Sequence, residues 1–92
     1  MESAIINEKL KAFTGWEFRD NQLVKTYRFE DFMKAVEFIN KVAVLAESMD
    51  HHPDINIHYN QVTFTASTHS EGGVTEKDFK LIKEIEKLAV LA

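Results

Sequence analysis

The chain has 92 residues, 45% hydrophobic and 28% charged, with three glycines and one proline, a composition that points to one folded domain over residues 1–92 and not to a disordered or repetitive segment. A formal charge of −4 argues against a direct nucleic-acid binder, and the lack of cysteine excludes disulfide scaffolds, thiolate zinc sites and thiol nucleophiles together. No apolar run approaches membrane-spanning length and nothing at the N-terminus reads as a signal peptide, so a cytoplasmic protein without membrane contact is expected.

From Glu2 to Phe13, Ile5, Ile6, Leu10 and Phe13 fall at helical spacing, and Gly15 follows where a helix would stop. Trp16 and Phe18 then alternate with charged residues, Asp20-Asn21 supplies a turn, and Leu23, Tyr27 and Phe29 recur at even spacing, which predicts a hairpin. Asp31 is a candidate N-cap for a central helix whose stripe is Phe32, Ala35, Val36, Ile39, Val42, Ala43, Ala46 and Met49. Phe38, Val44 and Leu45 fall outside that stripe, and Pro53 bars the helix from continuing. A second hairpin is predicted from Ile55, Ile57 and Tyr59, a turn at Asn60-Gln61, and Val62, Phe64 and Ala66. In the last segment Thr75-x-x-Asp78 resembles a capping box with Asp in place of Glu, ahead of a helical face of Phe79, Ile82, Ile85, Leu88 and Ala89. The order α-β-β-α-β-β-α predicts an α+β fold, a four-stranded antiparallel sheet with three helices on one face.

All four histidines lie between Ala46 and Gly73. His51 and His52 stand where the central helix must end, and His69 where the last strand gives way to a loop, at element ends where sites are often built. Glu47 and Asp50 put two carboxylates in the last turn of a helix whose dipole disfavours them by about 0.3–1 kcal/mol each. A helix designed for stability alone would place lysine there, whereas carboxylates beside imidazoles orient the rings and sustain their proton affinity.

The pattern Glu47-x3-His51-His52-Pro53-x5-Tyr59-x9-His69-x8-Asp78 resembles the signature of the pterin-4a-carbinolamine dehydratases, also called 4a-hydroxytetrahydrobiopterin dehydratases, with no departure at its fixed positions. Similarity extends to Gly15-Trp16, to Phe29–Phe32, to Tyr59–Val62 and to Ser67–His69, and so covers most of the chain. The resemblance implies the same small α+β fold. It also implies dehydration of the pterin 4a-carbinolamine released by an aromatic amino-acid hydroxylase, the expected functional partner, to quinonoid dihydropterin and water in tetrahydrobiopterin recycling. One acid and one base are then needed, which two imidazoles supply near neutral pH. By the resemblance His51 and His69 are that pair, in an order left open, and His52 binds and polarises the pterin. Glu47, Asp50 and Asp78 orient the rings or hydrogen-bond substrate, while Ser67, Thr68 and Trp16 line the pocket. No cofactor is implied.

Three other readings stand beside this one. Histidines at a helix end also serve as simple cations for the last carbonyls, and Asp78 could do no more than start its helix. A metal site built from His51, His52, His69 and a carboxylate is a second, disfavoured because adjacent histidines project divergently. The third is protein binding, since members of the family serve as a dimerisation cofactor of a homeodomain transcription factor. His58 lies outside the pattern and is expected to face solvent. Open sheet edges, with the uncharged Thr63–Thr68 run taken as the exposed one, and the apolar circumference of the central helix predict a homo-oligomer, a tetramer in preference to a dimer.

Overall fold

In the computed structural model, which describes residues 1–91, the elements follow the expected order: α1 (Ser3–Leu10), β1 (Glu17–Arg19), β2 (Gln22–Arg28), α2 (Phe32–Met49), β3 (Asp54–His58), β4 (Gln61–Ala66) and α3 (Glu76–Leu91), with a short 3-10 turn at His69–Glu71 before α3. The α-helical part of the first segment ends at Leu10, because the next three amides bond three residues back instead of four, through Lys11, Ala12 and Phe13. Ile6 enters the core while Ile5 stays exposed. Gly15 then has a φ of +87°, a backbone conformation that favours glycine at this turn.

The four strands pair antiparallel in the order β1-β2-β4-β3. Consequently β4, which contains most of the uncharged run expected at an edge, is an inner strand, and the edges are β1 and β3. Along β4, Val62, Phe64 and Ala66 are buried while Gln61, Thr63 and Thr65 are less so, the alternation of a sheet with one covered face. That face meets Ala35, Phe38 and Val42 of α2, Phe79, Leu81, Ile82 and Ile85 of α3, and Ile6 of α1 in one core.

Two local expectations are corrected. The first hairpin turns at Asp20-Asn21 as expected, both residues at positive φ, but the second turns at Tyr59-Asn60 and not at Asn60-Gln61. Pairing of His58 with Gln61 leaves only those two residues in the loop. Asn60 donates its amide to Phe29 O at 2.9 Å, and Tyr59 has a positive φ of 52°. In α2 the predicted stripe holds at Ala35, Val42 and Ala46, which are buried, and at Ile39 and Met49, which pack on the core, but Phe38 is buried at the centre of the core while Phe32 is exposed. The helix is rotated so that Phe38 packs on Tyr27, Phe29 and Phe64, with ring centroids 5.0–5.8 Å apart. Of the residues expected outside the stripe, Leu45 packs against the core and Val44 alone is open to solvent.

Candidate active site

Asp31 caps α2 as expected, its carboxylate accepting the Lys34 amide at 2.9 Å. The other end of the helix places the first histidines. Asp50 adopts a left-handed φ of 51°, its N–H bonds Glu47 O, and the next N–H, that of His51, reaches back to Ala46 O at 3.1 Å. This pairing is a Schellman motif, which turns the chain sharply off the helix axis before Pro53 prevents any resumption. His51 therefore leaves α2 sideways, toward the start of α3.

There it meets Asp78. The capping box forms with Asp in its fourth position: Thr75 Oγ1 accepts the Lys77 amide at 3.2 Å, and Asp78 Oδ2 accepts the Thr75 amide at 2.9 Å. Asp78 does more than start the helix. Its side chain is 0% exposed, its Oδ2 also accepts the Thr68 hydroxyl at 2.8 Å, and its Oδ1 stands 2.6 Å from His51 Nε2. A buried carboxylate is costly unless fully hydrogen-bonded, and every partner here comes from the expected site region or from its cap. His51 is 15% exposed, so one flank of its ring is anchored and the other opens to solvent.

The His52 ring pairs with Glu47 at the exposed end of α2, which accounts for a carboxylate at an unfavourable place on the helix dipole. His51 lines a cleft of about 290 Å³ with Met49, Asp50, Lys77 and Lys80. His69 lines a second depression of about 270 Å³, shared with Ser67, Gly72 and Gly73 and with the Asp20–Gln22 turn. The Asn21 side-chain amide donates to Gly72 O at 2.8 Å, and Thr68 and Gly73 pair through their backbones, so the loop carrying His69 is clamped on both sides.

Asp78 thus contacts both His51 and Thr68, and His69 follows Thr68 in the chain. Thr68 is buried with its hydroxyl committed to Asp78. Asp50 makes the turn and borders the His51 cleft, and Ser67 borders the His69 depression. Trp16 stands apart, buried edge-on against Tyr27 at 6.4 Å between centroids. Tyr27 donates to Glu86, which also holds Lys25 at 3.0 Å; burial, then that hydrogen bond, push the phenol well above its ordinary pKa. His58 is exposed, as expected. Among the described residues no three His, Asp or Glu side chains converge as a metal site would require. Thr75, Lys77 and Lys80 were not among the predicted site residues. The capping-box pattern was the one available signal for Thr75, and the lysines read as an ordinary solvated helix face.

Known proteins share this sequence and fold. A family model described as Pterin 4 alpha carbinolamine dehydratase matches residues 1–88. A protein of Sulfolobus acidocaldarius, provisionally named a pterin-4-alpha-carbinolamine dehydratase, is 49% identical over 90% of this chain and 91% of its own length. One of Thermomicrobium roseum with the same provisional name is 44% identical over 97% and 96%. A crystal structure described as a transcriptional coactivator/pterin dehydratase from Brucella melitensis superposes with a TM-score of 0.91 at 37% identity, over 97% of each chain. A pterin dehydratase-like protein identified as a RuBisCO assembly factor in the alpha-carboxysome shares the fold, with a TM-score of 0.66 at 23% identity over 80% of this chain and 86% of its own.

Proposed function

The chain belongs to the pterin-4a-carbinolamine dehydratase family and is a dehydratase, and on that premise we propose that it removes water from 4a-hydroxytetrahydrobiopterin by histidine acid/base catalysis. In this reaction the C4a–O bond breaks as the hydroxyl takes a proton from the acid, N5 gives its proton to the base, and the N5–C4a double bond forms. The products are quinonoid dihydropterin and water, with no change of oxidation state. His51 and His69 carry the two protons. His52, backed by Glu47, polarises the pterin, which would span from the His51 cleft, bordered by Asp50, to the separate His69 depression, bordered by Ser67.

The observation that supports this reading most is the fully buried Asp78, which joins the His51 ring on one oxygen to Thr68, the neighbour of His69, on the other. Such a carboxylate orients an imidazole and stabilises its protonated form during proton transfer. The substrate would come from an aromatic amino-acid hydroxylase, which makes the chain a step in tetrahydrobiopterin recycling.

The test is loss of the 4a-hydroxy intermediate, generated with such a hydroxylase, after subtraction of spontaneous dehydration. His51→Ala and His69→Ala should each lower the rate by roughly 10²–10⁴-fold while the domain stays folded. Near wild-type rates in both variants would overturn the assignment, as would inactivation by a chelator with recovery on adding zinc. A second, protein-binding role is supported by the exposed Phe32, Met33 and Val44 along α2. It would appear as association of a homeodomain factor that survives loss of His51.

A further inference from the structure

Between Lys77 and His51 the hydrogen bonds form one continuous chain whose direction is forced. A backbone amide can only donate, so Thr75 Oγ1 accepts from the Lys77 N–H at 3.2 Å. Thr68 has one hydroxyl proton and gives it to Asp78 Oδ2 at 2.8 Å. The 2.7 Å contact between the two threonine hydroxyls must then run from Thr75 to Thr68. The Thr75 amide also donates to Oδ2, at 2.9 Å. Oδ2 is thereby filled by two donors, which leaves Oδ1 for the imidazole at 2.6 Å.

We propose that Thr75 and Thr68 are positioning residues for catalysis: by filling Oδ2 of Asp78 they hold its Oδ1 against Nε2–H of His51, fixing the ring tautomer so that Nδ1 is the nitrogen that exchanges a proton with substrate. Thr68 accordingly faces Asp78 and not the pterin. Each bond in such a chain polarises the next, so the half-buried cap on α3 acts on a ring at the end of α2. The other charged groups beside the His51 ring are Asp50 from the end of α2 and Lys77 and Lys80 from α3. None of these three hydrogen-bonds or ion-pairs with the imidazole, whose ion-pair partner is Asp78.

The catalytic part of this inference rests on the proposed reaction, but its main readout does not. Long-range proton–nitrogen correlation spectra of the isotopically labelled full chain, at a pH where His51 is neutral, should show Nε2 protonated and Nδ1 bare. Thr68→Val removes one of the two donors to Oδ2 and should shift the His51 ring signals toward a tautomer mixture; Thr75→Val keeps its backbone N–H on Oδ2 and only frees the Thr68 hydroxyl, so it should shift them less; the corresponding serine variants should restore them. In turnover, kcat should fall roughly tenfold in Thr68→Val and less in Thr75→Val, with KM little changed, again rescued by serine. A wild-type ring with the proton on Nδ1 overturns the proposal, even if a valine variant does not fold. Folded valine variants with unaltered ring signals and kcat overturn it as well. A wild-type chain inactive on the carbinolamine would remove the proposed reaction, while the spectra would still decide the tautomer.

Discussion

Asp78 Oδ1 stands 2.6 Å from His51 Nε2 although 27 residues separate the two, because the Schellman turn at Asp50 sends His51 off the end of α2 and the capping box sets Asp78 in the first turn of α3. One carboxylate thus completes a helix terminus and fixes a ring. Asp78→Asn should reveal both functions. An amide nitrogen would oppose either the Thr75 N–H or His51, costing about 1–3 kcal/mol by leaving a buried donor unpaired. Denaturant unfolding measures that cost, and the dehydration rates of Asp78→Asn, His51→Ala and the double variant should be strongly non-additive. Simple addition of the two effects would show that the residues act independently.

Asp50 separates folding from function in the opposite sense. A left-handed conformation costs an L-residue about 1–2 kcal/mol, part of which glycine would give back as chain entropy. Asp50→Gly should therefore raise stability by up to about 1 kcal/mol by thermal or urea unfolding, while lowering the turnover of carbinolamine. A variant that gained stability with no loss of turnover would confine Asp50 to the turn.

Tyr27 predicts an alkaline instability. Burial and Glu86 raise its folded pKa above the ordinary 10.0. The associated stability is therefore complete below about pH 10 and falls as pH rises beyond it, when the unfolded chain releases a proton that the folded chain retains. The slope is roughly 1.4 kcal/mol per pH unit for one proton. Urea unfolding from pH 9 upward should show a steeper decline in wild type than in Tyr27→Phe. Parallel curves would assign the alkaline loss to other groups.

A homotetramer is expected in preference to a dimer, although its basis differs from the sequence expectation. The open edge of useful length is β3, since β1 has only three residues. On β3, Ile55 and Ile57 lie opposite the core residues Phe64 and Val62 yet remain 38% and 37% exposed, and Val44 on α2 is 72% exposed. Sedimentation equilibrium should give a species above monomer mass, and Ile57→Lys should shift it downward. Monomer alone in the wild type would sink the expectation.

Much of the chain is legible because its rules are local. Asp20-Asn21 accepts positive φ, Asp31 and Thr75 offer oxygens to free amides, and Pro53 cannot extend a helix, so turns and helix ends could be read from short windows. The spacing of Glu47, His51, His52, His69 and Asp78 was legible only as a resemblance to the signature of a known family, a pattern that runs over 32 residues. The rotation of α2 was not. Apolar residues surround most of that helix, and Phe38 was chosen over Phe32 by the aromatic surface that β2 and β4 present, from segments distant in the chain.

What the sequence determined by itself was the order of elements, set by backbone preferences and spacings over a few residues, and the family, set by a pattern matched along most of the chain. Only the tertiary structure decided that β4 is an inner strand, that Trp16 packs on Tyr27 away from the histidines, and that Thr68 gives its hydroxyl to Asp78. Strand order follows from which long-range pairing buries most apolar surface, and the direction of a hydroxyl from which buried acceptor would otherwise go unpaired. Both are properties of assembled neighbours, which no window of sequence contains.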